Sequence, residues 1–365
     1  MRLTWEQVRV RRLARSRLTD RASSIVEAVR DTCGIQAQLQ SAAEIGIGIR
    51  VDGVNATDVQ TELWEARTLV RTWTLRGTLH LHPADELGLW TAAARAVASG
   101  SSAYDLEPER VTQLLAAFAA ALDGRTLLRE ELADEVARRV GAWAREPIAS
   151  GWAFLIDYAA EAGILCHGPP RGNKVTFVRA DQWLGDVPQW EEEQALLEAT
   201  RRFLRTYGPA THKELVYLRV KNGRAVLDAL GDELMEVDVD GGRAWLLADD
   251  ADDVELEPSV RLLPQYDCYV LGFREREHLL WGDARELFWD TRWKKSGRYE
   301  TPVGFCNVLV NGAIAGKWER RRRGRRLEID IETAERLSAA QRKMLAAEAD
   351  RIADFLGCDL HELSV

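Results

Sequence analysis

The sequence predicts an α+β fold, because one pattern recurs three times in its first 258 residues: amphipathic helices, then two short apolar strands around a polar or glycine turn. This order is typical of winged-helix (helix-turn-helix) units. After residue 258 the pattern changes, since several strand-like segments precede a single helix. We therefore predict tandem winged-helix units followed by a small strand-rich C-terminal domain with a terminal helix.

Composition limits the classes to which the chain can belong. It has 365 residues, of which 46% are hydrophobic and 29% are charged, so it can bury the cores of several domains. Its net charge of −9 excludes a globally basic nucleic-acid-binding domain, and any DNA surface must be local. Charged residues interrupt every apolar stretch, which excludes a membrane-spanning helix. The Arg-rich N-terminus lacks the apolar core of a secretion signal, so we expect a cytoplasmic protein.

The five cysteines and six histidines are scattered and form no recognisable metal or disulfide pattern. The sequence also lacks an HExxH motif, a Walker loop and a GxGxxG turn after a strand. We therefore expect no metal and no cofactor, and we interpret the cysteines as small buried residues.

The first predicted unit spans residues 1–100. Its helices are expected at residues 5–18, 23–33 and 57–67. The segment LVRTWTLRGTLHLH then alternates with period two around Arg76 and Gly77, which predicts a β-hairpin. A further helix should follow at Pro83, because proline is favoured at the first helical position.

The second predicted unit spans residues 101–188, and its helices precede a strand, a Gly/Pro/Asn turn and a second strand. Those helices are expected at residues 108–122, 128–140 and 149–162. The third unit spans residues 189–258. It should contain a helix over residues 190–207, a second helix over residues 211–220 with Thr211 as its N-cap, and two strands about an Asp-Gly-Gly turn.

The acidic stretch at residues 249–258 predicts a linker or a solvated edge, and we place a domain boundary there. Residues 259–365 form the last predicted domain. Its strands are expected in RLLPQYDCYVLGF, TPVGFCNVLVNGAIAGKWE and RRLEIDI, and its helix over residues 334–356. A small barrel or sheet capped by this helix is therefore expected.

Three glutamines occupy alternate positions, 36, 38 and 40, directly after a predicted helix and Gly34. On an extended backbone Gln36 and Gln38 would point the same way, whereas on a helix they would be about 200° apart. Two amides can hold one water molecule, but an amide cannot act as a strong general base. The pair therefore suits only a reaction whose leaving group departs easily. The alternative is that these are ordinary exposed helix residues.

Five segments, in a fixed order, resemble one known family. They are the Gln-Ala-Gln triplet at residues 36–38 and residues 71–85, 207–215, 262–276 and 296–318. No single segment is specific, but together they cover nearly the whole chain. On these segments the chain resembles the winged-helix DNA glycosylases of the AlkZ and YcaQ type, which remove or unhook bulky alkylated purines.

The resemblance implies a monofunctional DNA glycosylase in which Gln36 and Gln38 position the water that attacks the sugar C1′. Alkylation at N7 of guanine or N3 of adenine makes the base cationic, so it leaves without prior protonation. Glutamine at position 38, where the YcaQ-like branch has aspartate, indicates the AlkZ-like branch. That branch is associated with bulky natural-product adducts, interstrand crosslinks and self-resistance to genotoxic antibiotics.

The resemblance also implies the partner, which is double-stranded DNA carrying alkylated purines. It implies a bacterial protein that is cytoplasmic and associates with the nucleoid when it acts. No cofactor, membrane or obligate protein partner is implied. Because three tandem units can supply the repeated surfaces that regulators obtain by dimerising, we expect a monomer.

His80 and His82 alternate on the first predicted hairpin, so both should face one side of it. They are candidates for DNA contact, together with Arg71 and Arg76 of the same hairpin. As a metal pair they lack a third ligand nearby in the sequence. The alternative is that they are polar residues on a solvated face.

Basic residues cluster in KWERRRRGRRLEI, around Gly324 and between two predicted strands. In a chain of net charge −9, such a hairpin favours contact with phosphates or the minor groove, and the alternative is a solvated loop. The preceding segment TRWKKSGRYETP extends the basic track. The candidate DNA contacts in the two segments are Arg320, Arg321, Arg322, Arg323, Lys294, Lys295 and Arg298.

A non-catalytic winged-helix transcriptional regulator is the competing interpretation. It would read DNA sequence through recognition helices such as residues 211–220, which carry Lys213 and Arg219. Lys213 is a candidate DNA contact in either protein. A regulator would bind one sequence with high specificity, whereas a repair enzyme should bind DNA weakly and release modified bases.

Overall fold

The computed structural model describes residues 1–97, 106–150, 155–251, 257–288 and 302–365. These residues confirm a mixed α+β fold. They form two compact units. The larger unit contains Met1–Val59, Arg201–Tyr217 and Asn222–Val365, and the smaller unit contains Gln60–Thr200 and Leu218–Lys221. The four-domain division predicted from the sequence stays a prediction.

Helices and strands are numbered in chain order. The helices are α1 Trp5–Arg15, α2 Ile25–Asp31, α3 Gln40–Gly48, α4 Ala56–Trp64, α5 Leu87–Val97, α6 Pro108–Ala121, α7 Arg129–Val140, α8 Arg145–Ala149, α9 Ile156–Glu161, α10 Ala180–Leu184, α11 Glu192–Tyr207, α12 Gly223–Leu230, α13 Cys268–Leu271 and α14 Ala339–Phe355. The strands are β1 Arg2–Leu3, β2 Ile35–Gln36, β3 Leu69–Trp73, β4 Leu79–Pro83, β5 Leu127–Leu128, β6 Leu165–Arg171, β7 Lys174–Arg179, β8 Leu234–Val239, β9 Gly242–Leu247, β10 Val260–Leu263, β11 Cys306–Val310, β12 Ala313–Arg323, β13 Arg326–Thr333 and β14 Asp359–Ser364.

The larger unit contains a five-stranded sheet in the order β10-β11-β12-β13-β14. Neighbouring strands are antiparallel except β13 and β14, which are parallel. Helix α14 begins at Ser338, which caps it in a capping box with Gln341, and it packs against β10 and β14. The prediction of a sheet capped by the terminal helix is confirmed. The last strand, β14, was not predicted.

The larger unit also contains a three-stranded sheet in the order β1-β8-β9. Strands β8 and β9 form the hairpin predicted at the Asp-Gly-Gly turn, where Asp240 and Gly241 have φ of 45° and 86°. The acidic stretch before the last domain is only partly described, because residues 252–256 lie outside the described ranges. Asp250 is buried and pairs with Arg11 at 2.7 Å, so the expectation of a solvated edge is wrong at this residue.

The smaller unit contains the hairpin of β3 and β4 and a sheet in the order β5-β7-β6. Its core gathers apolar residues from α6, α7, α9 and both sheets, with Phe118 and Phe177 fully buried. Both predicted hairpins and the helices α6 and α7 are confirmed. The predicted helix over residues 149–162 is α9 in its described part, since residues 151–154 lie outside the described ranges.

The structure corrects the sequence-based prediction in three helical regions. Residues 211–220 do not form an α-helix, since they contain only a 3-10 helix at Glu214–Leu218 and Arg219 has φ of 64°. Helix α3 was not predicted, and it follows the glutamine triplet directly. Helix α12 was also not predicted.

Candidate active site

The Gln-Ala-Gln triplet lies on a non-helical segment between α2 and α3. After α2 ends, the chain turns through Cys33 and Gly34, which have φ of 58° and 89°. It is extended at β2 and becomes helical again only at α3. Neither Gln36 nor Gln38 therefore lies in a helix. The extended alternative therefore holds at Gln36, and the interpretation of the two glutamines as ordinary helix residues is wrong.

The three glutamines of this segment have different surroundings. Gln36 is buried, with 9% of its surface exposed, and Gln38 is exposed. Ala37 lies between them and is fully buried. Gln40 is the first residue of α3, and its side-chain amide donates a hydrogen bond to the Glu44 carboxylate at 3.1 Å. Gln40 thus points along its own helix, whereas Gln36 ends β2 and Gln38 lies on the bend that follows the buried alanine.

Side chains at the end of α11 hold the turn that leads into the triplet. The Tyr207 hydroxyl donates to the carbonyl oxygen of Thr32 at 2.9 Å, and the Thr206 hydroxyl donates to that of Asp31 at 2.5 Å. The Cys33 sulfur lies 3.6 Å from the Thr206 hydroxyl. Burial raises the pKa of Tyr207 well above its ordinary value, so the phenol remains a donor.

A buried ion pair holds α3 on the other side of the triplet. The Arg50 guanidinium contacts both carboxylate oxygens of Asp267 at 2.8 and 2.7 Å, and neither side chain is more than 1% exposed. Arg50 also donates to the carbonyl oxygens of Gly46 in α3 and Ser16 at the end of α1, each at 2.8 Å. Although burial opposes its charge, Asp267 keeps the pKa of Arg50 above the ordinary value. This network links the end of α3 to Asp267, the N-cap of α13.

These supporting residues were missed as functional candidates by the sequence analysis. Tyr207 and Asp267 do lie in two of the segments that carry the family resemblance, residues 207–215 and 262–276. That location was an available signal. Their roles become visible only from the hydrogen bonds, because the partners are 175 and 217 residues away along the chain.

The triplet supplies neutral hydrogen-bonding groups and no titratable group. An amide can donate to and accept from a water molecule, but it cannot remove a proton from that water at neutral pH. The arrangement can therefore orient a nucleophilic water. It fits a bond that breaks largely before the nucleophile adds, because such a reaction needs orientation of the water more than its deprotonation.

The histidine pair of the smaller unit lies in the interior. His80 and His82 are fully buried, so the expectation of a solvated hairpin face is wrong. They do share one side of the hairpin as predicted, with ring centroids 5.7 Å apart, and His82 stacks on Trp90 at 4.8 Å. Burial, Arg76 and His82 together hold the pKa of His80 well below its ordinary value. The ring is therefore neutral at neutral pH.

The two arginines of this hairpin also face histidines. Arg76 donates to His80 Nε2 at 3.0 Å, and the other ring nitrogen of His80 donates to the Thr78 carbonyl oxygen at 2.9 Å. Arg71 is buried and contacts His167 Nδ1 at 3.3 Å. The contact of Arg71 and Arg76 with DNA stays a prediction. The buried histidines have no exposed surface with which to reach a phosphate, so we do not carry them forward as DNA contacts.

The smaller unit also contains a half-buried acidic pair that the sequence analysis missed. Asp157 and Glu161 lie one turn apart on α9, and Glu161 accepts a hydrogen bond from Arg219 at 3.0 Å. Burial raises the pKa of Asp157 to about 7, with repulsion from Glu161 as a second cause. Burial likewise raises the pKa of Glu161. The spacing i, i+4 was visible in the sequence, but their burial was not.

The basic run forms an antiparallel ribbon of β12 and β13 with its turn at Gly324, as predicted. Pairing places Arg320 opposite Ile329 and Arg322 opposite Leu327, on the face that carries Trp318. Arg321 lies on the other face and pairs with Asp330. The ribbon therefore divides its arginines between an apolar face and a face of mixed charge.

The remaining basic candidates lie elsewhere. Lys213 is exposed on the turn before the 3-10 helix, and not on a recognition helix as the regulator interpretation requires. Lys294, Lys295 and Arg298 lie outside the described residues. Among the described residues, no group of three or more His, Cys, Asp or Glu side chains could hold a metal ion. The described part of the chain contains no helix long and apolar enough to span a membrane.

Comparisons with known proteins agree on one family. A family model described as "AlkZ-like: DNA glycosylase AlkZ-like" matches residues 29–355. An interstrand DNA cross-link repair glycosylase from Streptomyces sahachiroi is 31% identical over 337 residues, which are 87% of this chain and 88% of the relative. The solved structure of the Streptomyces sahachiroi DNA glycosylase AlkZ superimposes with a TM-score of 0.84 at 28% identity, covering 100% of this chain and 99% of the other. The triplet and the ribbon both lie within the matched range.

Proposed function

The chain belongs to the AlkZ-like family of DNA glycosylases, and we propose that it hydrolyses the N-glycosidic bond of bulky N7-alkylguanine or N3-alkyladenine in duplex DNA and leaves an abasic site. It is thus a hydrolase of N-glycosyl bonds that acts on DNA. We extend the proposal to the unhooking of interstrand crosslinks and to self-resistance against the alkylating natural products that form them. The support is the relative named for cross-link repair.

The observation that carries the proposal is the non-helical Gln-Ala-Gln segment between α2 and α3. Because Tyr207 and Arg50 fix the backbone on its two sides, the segment can hold its two amides in place before DNA arrives. In the proposed reaction, the alkylated base leaves as a neutral molecule when the C1′–N bond breaks. A water held by Gln36 and Gln38 adds to the cationic C1′ and loses its proton to solvent. Since neither amide is a nucleophile, the reaction forms no covalent intermediate with the protein.

Several finer statements belong to the same proposal. The α-helices and hairpins follow the order expected of tandem winged-helix units, which would present the β12–β13 ribbon and the triplet to DNA. We propose that the enzyme acts as a monomer, in the cytoplasm and on nucleoid DNA. The regulator interpretation is not pursued, because residues 211–220 form no recognition helix.

The decisive experiment measures base release from two duplexes, one with N7-methylguanine and one with a bulky N7-alkylguanine adduct or crosslink. Release is read as alkali-sensitive strand breaks. We expect wild-type protein to release the bulky base, and a variant with Gln36→Ala and Gln38→Ala to slow release by at least about 100-fold, since water orientation is lost. DNA affinity should stay within about two-fold, because no charge is removed.

Gln40→Ala is the matched control. Gln40 belongs to the same glutamine run but bonds to Glu44 on its own helix, so its loss should leave the rate within about two-fold. Equal slowing by Gln40→Ala and by the double variant would contradict the assignment of Gln36 and Gln38. No release of either base by wild-type protein would contradict the proposed function itself.

A further inference from the structure

Leu39 is an apolar side chain in an exposed position directly beside the glutamine pair. It has 44% of its surface exposed. In the described part of the chain, four other large hydrophobic residues have comparable exposure. They are Met1 and Val365 at the termini, and Val175 and Val216 within the sequence. Among the described residues, Leu39 is therefore the large exposed apolar side chain that lies next to a candidate catalytic residue in the sequence.

The backbone role of Leu39 makes this choice of residue unfavourable for stability. Leu39 is the N-cap of α3, with φ of −101° and ψ of 100°, and its side chain makes no capping hydrogen bond. Leucine is among the poorest N-cap residues, whereas serine, aspartate or asparagine would bond the free N–H groups of the first turn. Thr4, Ser24 and Ser338 do cap α1, α2 and α14, whereas α6, α9 and α10, like α3, begin without a side-chain cap. The exposure of Leu39 beside Gln38 is therefore the feature that needs an explanation.

We propose that Leu39 is a DNA-contacting residue that enters the minor groove beside the target nucleotide and packs against the bases and sugar exposed there. This inference rests on the proposed function, since it takes the triplet as the part of the chain that approaches C1′. C1′ borders the minor groove, so a residue adjacent to Gln38 in the chain reaches that groove together with it. DNA-bending proteins use leucine and similar side chains in this way, as apolar wedges at partly unstacked base steps.

The chemical class of the ligand follows from the side chain. Leucine cannot read base edges by hydrogen bonds, so the contact is independent of sequence. It gains most where a base step is unstacked or a base is missing, because apolar surface of the DNA is then exposed to water. We therefore expect Leu39 to increase affinity for duplex with an abasic site over intact duplex, and to speed release of the alkylated base.

The test compares four full-length variants with the wild-type protein. Leu39→Ser removes the apolar side chain and adds a good N-cap, and Leu39→Ala removes the side chain without adding a cap. Leu39→Met keeps apolar bulk. Val216→Ser is a control for loss of an equally exposed apolar residue, since Val216 is also 44% exposed.

Three measurements are made on each variant: the melting temperature, the single-turnover rate of release from the bulky adduct, and Kd for intact and abasic duplex. We expect Leu39→Ser to raise Tm by about 1–3 °C through the new cap. The same variant should slow release by about 10-fold or more and lose the preference for abasic duplex. Leu39→Ala should show the same losses without the gain in Tm, and the other two variants should behave as wild type.

The abasic-duplex measurement needs no catalysis, so it decides the role of Leu39 separately from the reaction. A double variant of Gln36→Ala and Gln38→Ala should retain the preference for abasic duplex while losing release. Full abasic preference and full release rate in Leu39→Ser would overturn the proposal for Leu39 and leave the proposed function standing. Losses of the same size in Leu39→Met or Val216→Ser would also overturn it. Absence of base release by wild-type protein would instead refute the proposed function.

Discussion

Burial decides the chemistry of individual side chains in this protein more than residue type does. The alternate spacing of His80 and His82 in the sequence suggested exposed residues that could contact DNA. Both rings are buried, and Trp90 stacks against His82. Asp157 is an ordinary acid by type, but its surroundings bring its pKa to about 7. Each of these groups is on the smaller unit. The same residues on an exposed hairpin or helix would titrate near their ordinary values.

Asp157 predicts a pH dependence of stability. Its folded pKa of about 7 exceeds the unfolded value of about 3.9, so the native state binds more protons between these values. The contribution of this group is full below about pH 4 and is lost as pH rises to about 7. Asp157→Asn should therefore make the protein more stable than wild type at pH 8 and flatten the fall in stability between pH 5 and 8. Urea unfolding at these two pH values measures the effect.

Asp181→Asn is the control for this prediction. The carboxylate of Asp181 is hydrogen-bonded by Arg179, which lowers its pKa, so its contribution changes only at acid pH. Between pH 5 and 8 this variant should show the slope of the wild-type protein. If Asp157→Asn keeps that slope as well, Asp157 does not titrate in this range.

At the scale of elements, strand pairing separates arginines that the sequence presents as one run. In the β12–β13 ribbon, Arg321 pairs with Asp330, and next to the turn Arg325 pairs with Asp359 of β14. Arg322 and Arg323 form no ion pair within the described residues. Arg322 donates a hydrogen bond to the Gly324 carbonyl oxygen at 3.0 Å. The tip of the ribbon therefore keeps two charges available for phosphates.

The ribbon predicts a difference between two double variants. Neutralising Arg322 and Arg323 to glutamine should weaken binding to all duplexes and reduce the slope of log K against log salt by about 1–2, since each lost phosphate contact contributes about 0.9. Neutralising Arg321 and Arg325 changes the net charge equally, but it removes arginines already paired with carboxylates. That control should change the slope by less than half as much. Equal slopes for the two double variants would contradict a role for the ribbon tip in DNA binding and favour a solvated loop.

Helix α3 shows how packing can override local preference in an element. Its sequence, QSAAEIGIG, contains two glycines and two β-branched isoleucines, which are poor helix formers. Of the two glycines, Gly48 permits close packing at the C-terminal end of the helix. A Cβ atom at Gly48 would come within 2.4 Å of the Phe355 ring of α14. A tertiary contact at its last residue therefore supports α3, which has no side-chain cap at its first turn.

At the scale of the whole molecule, some arginines pair with carboxylates inside the protein. Arg12 on α1 bonds to Glu214 at 3.0 Å, and Arg50 bonds to Asp267. Both pairs lie within the larger unit and join segments more than 200 residues apart. The chain has a net charge of −9, and some of its arginines are buried in such pairs. The basic surface that remains is local, as at the ribbon tip.

The buried pair predicts a large asymmetric effect on stability. Asp267→Ala leaves the Arg50 charge buried without its carboxylate, so we expect a loss of about 3–5 kcal/mol in the free energy of unfolding. Replacing both residues, Arg50→Met with Asp267→Ala, should cost less than the sum of the single changes. Urea unfolding measures each variant. The exposed pair Arg2–Asp238 is the control, and Asp238→Ala should cost at most about 1 kcal/mol. A similar cost at both sites would contradict the role given to Asp267.

The sequence by itself determined the local elements whose signals are periodic or turn-specific. The hairpins at β3–β4, β6–β7, β8–β9 and β12–β13 follow from alternation and turn residues. Amphipathic spacing places α6, α7 and α14. Spacing alone left the backbone of the glutamine triplet open between helix and extended chain, and the resemblance of five segments to one family agrees with the comparisons.

Only the tertiary structure decided which distant side chains meet. Two contacts join parts of the chain that no periodicity relates: the ion pair of Arg50 with Asp267 and the hydrogen bond from Tyr207 to Thr32. The burial of His80 likewise depends on the tertiary structure. The 3-10 helix at Glu214–Leu218 replaces a predicted α-helix for a similar reason, since Glu214 is bound by Arg12. Periodicity encodes which face of an element is apolar, but the partner of a buried polar group is chosen by the fold.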